Sequence, residues 1–244
     1  MAYKKSRKEE FINYPNISLW KLSLPMMLGM SVNAIYMMID MFFIAKYEPH
    51  IGVASIGYVT PFLFMLMGIT FGLGSGVTSV IAKLIGEDNK NDADSAAEHS
   101  IIFGIFISII LFLFSMFFGE KLLNFQGINN SKILNHSLDY FNIMFGGSIF
   151  MILGVFFRSI LSGEGDNVFP VKVLGIGTII NVLLDPIFIE FYSVRGAALA
   201  TVISQAIVCL IFIYYLIFKH NAYIKFNFKK ISYNQNIITS ILKL

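Results

Sequence analysis

Six apolar runs, none shorter than about 20 residues, limit what this chain can fold into more than any motif it carries. They cover about 19–45, 53–82, 99–118, 138–161, 168–190 and 196–218. A hydrocarbon core about 30 Å thick takes roughly 20 apolar residues of helix to cross. The runs therefore predict an all-α integral membrane protein, a six-transmembrane-helix bundle over residues 19–218. A polar segment precedes it (1–18) and a basic one follows it (219–244). The first two runs are long enough that their helices must tilt, bend or extend past the lipid. Composition agrees: 56% of residues are hydrophobic, 14% are charged and the mean hydropathy is +0.72. A soluble domain carries about a quarter charged residues because its surface faces water. No cleavable signal peptide is visible, since residues 1–18 are polar and the first apolar run is too long for a signal core. The single cysteine, Cys209, forms neither an intramolecular disulfide nor a zinc site on its own and reads as a small hydrophobe.

Lysine and arginine placement sets the expected orientation. With the N-terminus in the cytoplasm, 14 of the 18 basic residues fall on inside segments. Only Lys46, Lys121, Lys132 and Arg195 fall outside. The net charge of +3 is thus read as membrane orientation, with both termini cytoplasmic, and not as affinity for nucleic acid. The expected location is a cell membrane (plasma or inner), crossed several times.

Two acidic residues lie well inside the predicted spans, Asp40 in the first and Asp185 in the fifth. An ionisable group at that depth costs about 2.5–3.5 kcal/mol on insertion scales, which makes both functional candidates. Asp40 and Asp185 each stand five residues before the outer end of their run, and Thr201 stands five after the start of the sixth. The three therefore share one depth, roughly 7–8 Å below the outer rim. Asn181 is one turn from Asp185 on the same helix face. Pro186 has no amide proton, which leaves the Val182 carbonyl without its helical partner. Such an oxygen-rich cluster suits a sodium ion or a proton.

Other polar residues read as structural. Arg158 lies near the inner end of the fourth run and is expected to snorkel to the cytoplasmic face. Glu164 and Asp166 sit in a Gly-rich turn that lacks the spacing and lysine of a phosphate cradle. His50, His99, His136 and His220 share no ligand spacing and are expected at solvated helix ends and loops.

Several of these residues carry a family resemblance. Asn181-Val182-Leu183-Leu184-Asp185-Pro186, followed by Gly196-Ala197-Ala198-Leu199-Ala200-Thr201, resembles the MATE family of multidrug and toxic compound extrusion transporters. So do Met38-Ile39-Asp40, Gly72-Leu73-Gly74-Ser75-Gly76-Val77-Thr78 and the run Arg158 to Asp166. The resemblance implies a secondary active antiporter that exports cationic or amphipathic compounds in exchange for Na+ or H+. It implies no cofactor beyond that coupling ion, and no enzymatic activity. Carried over by motif, the cation site is Asp40, Asn181, Asp185, the Ala197 carbonyl and Thr201. Family members have twelve helices in two lobes, and this chain corresponds to the N-terminal, prokaryotic-type lobe. Residues 219–244 would then be a linker towards an absent second lobe, and a second lobe or another copy of the chain is the expected partner.

Two other classes share parts of this pattern. A flippase for lipid-linked oligosaccharides shares the helix plan but is expected to have a more cationic cavity. An intramembrane aspartyl protease also uses two membrane aspartates. It needs Gly-x-Gly-Asp at the catalytic residue, whereas Val182-Leu183-Leu184 precede Asp185.

Overall fold

A computed structural model describes residues 13–218 and 223–226, with some side chains of the first helix excepted. Most of the expected N-terminal segment and linker lies outside the described residues.

Seven α-helices are present among the described residues, and no strand. They are α1 (Pro15–Tyr47), α2 (Ile51–Gly86), α3 (Lys90–Phe125), α4 (Ser131–Gly146), α5 (Ser148–Gly163), α6 (Val168–Tyr192) and α7 (Val194–Phe218). Each predicted span has its counterpart, but the fourth is broken. The run expected over 138–161 is two helices that meet at Gly147 with a 42° bend. Four helices (α2, α3, α6 and α7) are long and apolar enough to cross a membrane, and the bent α4–α5 pair makes a fifth span. With α1 this gives six rods in the places expected.

Helix starts are fixed by side-chain caps that satisfy otherwise orphaned amides. The Asn89 side chain accepts the Asp92 amide at 3.3 Å, and the Asn130 side chain accepts those of Lys132 and Ile133 at 2.9 and 3.4 Å. α6 and α7 form a tight hairpin in which Ser193 takes the left-handed conformation, φ 53°. Close packing follows from small residues. A Cβ at Gly196 would collide with the main chain of Phe188, and one at Gly177 would collide with Val208.

α4 and α5 lie between α2, α3 and α7, while α1 lies outermost, resting mainly on α6. Two apolar clusters fill the interior. One, around Ile44, Val59, Phe141, Phe145, Ile189 and Ala197, lies at the end where α1 and α6 finish and α7 begins. The other, around Val77, Ile81, Ala97, Ile160 and Phe212, lies at the opposite end. Large apolar side chains cover the outside as well, such as Phe106, Met116 and Phe117 of α3 at 58%, 64% and 70% exposure. An apolar surface on that scale suits hydrocarbon, not water.

Candidate functional site

The buried residues of α6 are Pro170, Val173, Gly177, Asn181, Asp185 and Ile189. Their three- and four-residue spacing draws one stripe down the helix. It is apolar or small except at Asn181 and Asp185. Both are fully buried, and Asn181 donates Nδ2–H to Asp185 Oδ1 at 3.1 Å. α1 lies against α6 and α7 pairs with it in the hairpin. Asp40 comes from α1, and its carboxylate is close enough to act electrostatically on that of Asp185. Ala197 (0% exposed) and Thr201 (2%) come from the buried face of α7.

Counted from the helix ends, these residues lie at one depth. Asp40 stands seven residues before the end of α1, Asp185 seven before the end of α6, and Thr201 seven after the start of α7. The helices run two residues further than the apolar runs suggested, so the site lies about 10 Å below the rim instead of 7–8 Å.

Three oxygens in this cluster have no hydrogen-bond partner among the described residues: Asp40 Oδ1, Asn181 Oδ1 and Asp185 Oδ2, each shielded from solvent. All three are acceptors. A buried acceptor without a donor is costly, and a bound cation removes the cost where another acceptor cannot. Among the described residues no group of three His, Cys, Asp or Glu converges.

A cavity of about 560 Å³ opens at the same end, lined by Tyr47, Glu48, His136, Glu190, Ser193 and Arg195 among others. Ile189, one turn above Asp185, also lines it. Two contacts fasten its rim. Arg195 pairs through two nitrogens with Asp139, at 2.6 and 2.8 Å, and Ser193 Oγ donates to Glu48 Oε1 at 3.0 Å. These pairs join residues 56 and 145 positions apart, and no local pattern in the sequence announces them.

Towards the opposite end a second cavity of about 270 Å³ is lined by Phe71, Ser75, Thr78, Arg158, Ser162 and Asn167. Arg158 lies over the Phe71 ring, 5.5 Å from its centre. His220 lies outside the described residues, and one of the described histidines differs from expectation. His99 is buried within α3, 5% exposed, with its Nδ1 2.7 Å from the Ser95 carbonyl.

Several apolar helices around a buried acceptor cluster, beneath a cavity at one end, define a multi-pass membrane protein. The MatE family model matches residues 25–187, and the chain belongs to that family. Over 226 residues it is 28% identical to the multidrug export protein MepA of Staphylococcus aureus, covering 91% of this chain and 49% of the relative. It is 26% identical over 198 residues to the probable multidrug resistance protein YoeA of Bacillus subtilis, covering 79% and 42%. Among solved structures it resembles the outward-facing conformation of a multidrug resistance MATE family transporter of the MOP superfamily. That match has a TM-score of 0.88 at 28% identity, covering 93% of this chain and 50% of that one. A MOP superfamily transporter from Pyrococcus furiosus gives 0.87 at 28% identity, with 93% and 50% coverage. The chain thus spans about half the length of the curated relatives it matches. The family is one of transporters, not enzymes.

Proposed function

We propose that the chain is the N-terminal lobe of a secondary active antiporter that exports cationic or amphipathic compounds in exchange for Na+ or H+. Residues 19–218 form the lobe, both termini are cytoplasmic, and the coupling cation binds Asp40, Asn181, Asp185, the Ala197 carbonyl and Thr201. One observation carries the reading: Asp40 Oδ1, Asn181 Oδ1 and Asp185 Oδ2 are shielded and have no donor among the described residues, and the two carboxylates act on one another electrostatically. Two carboxylates so placed repel one another at membrane depth, and the repulsion is relieved when a cation joins them. The cavity at the same end gives an external ion a route towards the site.

The exported compound occupies the site's alternate state. A ligand shifts a two-state equilibrium only through its differential affinity for the two states. The complete cycle requires a second six-helix lobe, supplied by another chain or by a second copy of this one.

Thermal unfolding of the chain in lipid nanodiscs, with Na+ titrated at fixed pH and pH varied without Na+, tests the site. A ligand at 100 times its Kd adds about 2.7 kcal/mol, a readily measured rise in Tm. The Asp40→Asn/Asp185→Asn double variant is expected to fold and to lose both responses. A response to Na+ in the wild type marks sodium coupling, and a response to pH alone marks proton coupling. If the double variant kept the full response, the cluster would be a packing device and the proposal would fail.

A further inference from the structure

The Gly-rich turn between α5 and α6 has a partner that the ion site does not explain. Residues 223–226 lie as a short non-helical strap against it. The Tyr223 amide donates to Glu164 Oε2 at 3.1 Å and the Ile224 amide to Oε1 at 2.7 Å, so one carboxylate takes two successive main-chain donors. The next amide, that of Lys225, donates to Asp94 Oδ1 at 3.0 Å. Lys90 completes the arrangement. Its ammonium donates to both Asp94 oxygens, at 2.9 and 2.6 Å, and to the Tyr223 carbonyl at 3.0 Å. It also lies 4.9 Å from the centre of the Tyr223 ring. Ile224 is 1% exposed and joins the apolar cluster of Val77, Ile81, Ala93 and Ala97.

We propose that Lys90, Asp94 and Glu164 form a docking site for extended main chain, whose occupant is the segment leaving α7. Recognition is mostly of the backbone: three amides and one carbonyl are held, and the Ile224 side chain is read by shape. A loose tether leaves its amides to water. Here consecutive amides meet carboxylates from two other parts of the chain, at separations of 59 to 131 residues. Hydrogen bonds to charged acceptors are the stronger kind, and a buried side chain beside them fixes their register.

The consequence rests on the reading that this segment leads to a second lobe. The tether then starts from α3 and the α5–α6 turn, not from the free end of α7, and a shorter effective tether raises the local concentration of whatever it carries. Ser162, in the last turn of α5, and Asn167, at the end of the same turn, line the 270 Å³ cavity, so strap and cavity share a wall.

Hydrogen exchange resolved to single amides, on the whole chain in nanodiscs, tests the docking site without cation or transport, so it stands or falls apart from the ion-coupling proposal. In the wild type, Tyr223, Ile224 and Lys225 are expected to be protected. Glu164→Ala is expected to speed exchange about tenfold or more at Tyr223 and Ile224, and Asp94→Ala to do so chiefly at Lys225. The interior amides of α7 remain unchanged in both. Should either variant fail to fold, Tyr223→Pro removes one donor without altering the lobe and is expected to loosen Ile224. Exchange at unprotected rates in the wild type, or unchanged protection in the variants that fold, would overturn the proposal.

Discussion

Asn181 uses its amide nitrogen on Asp185 and leaves its own oxygen shielded, with no partner among the described residues, so it adds an acceptor while restraining the carboxylate beside it. Removing that side chain takes away one ligand but no charge. Asn181→Ala is expected to weaken cation binding about tenfold, and Asp185→Asn by considerably more, in the same Na+ or pH titration of Tm. Equal effects would mean that charge is not what the site uses. Glu164 makes a second residue-scale prediction. Burial pushes its carboxyl above the ordinary carboxylate range, and Asp166 adds to the rise, while the Ile224 and Tyr223 amides and Lys90 pull it down. Asp94 and Lys225 also stand at this end face. A carboxyl raised in the folded state binds its proton more tightly there than in the unfolded chain. Its contribution to stability is then fully present below the unfolded value and is lost as pH rises through the folded one. Thermal stability is expected to fall as pH rises through the Glu164 titration, and to fall less in Glu164→Ala. A Glu164-dependent rise in stability with pH would contradict the sign. The matching positions of Asp40, Asp185 and Thr201 along their helices were legible in the sequence because depth follows from counting along a helix. The strap was not, because its carboxylates lie far away in the chain and follow no periodicity.

At the scale of elements, the α6–α7 hairpin brings the proposed ion site together. Its tightness depends on Gly196, whose missing Cβ lets the start of α7 lie against the Phe188 main chain. Main chain cannot rotate aside as a side chain can, so Gly196→Ala must move one helix relative to the other. The expected cost is about 3 kcal/mol, at the upper end of ordinary overpacking, with a loss of the cation response because Thr201 shifts away from Asp185. Gly177→Ala meets only the tip of the Val208 side chain and is expected to cost less. Parallel unfolding and ion-titration curves check both, and equal stability for Gly196→Ala would show that the hairpin tolerates a wider crossing. The two helices of the hairpin were foreseen from two apolar runs, 168–190 and 196–218. The bend at Gly147 was not, because Gly146 and Gly147 lie inside an uninterrupted apolar stretch and local hydropathy carries no record of direction.

At the scale of the whole molecule, the expected orientation follows from basic residues distributed 14 to 4, and the lobe's two ends are unlike in chemistry. The end bearing the site has an acid-rich cavity with Glu48, Asp139 and Glu190, and the other end carries the strap. Reporter fusions after Ala45 and after Lys219 are expected to read outside and inside respectively, and a shared side would overturn the topology. Alternating access needs two bodies, each offering a face for the other to rock against. On the proposed reading, one lobe supplies an ion site and one such face. Reconstituted alone in proteoliposomes, the chain is therefore expected to bind its cation, by the Tm response, and to leave a cationic dye gradient unchanged. Adding a matching C-terminal lobe is expected to start cation-driven dye movement, which the Asp40→Asn/Asp185→Asn variant abolishes. Transport by the chain alone, with cross-linking showing dimers, would make a second copy the missing body. Transport by a cross-link-free monomer would refute the two-body requirement, because a single lobe would then expose its site to both sides without a partner to move against.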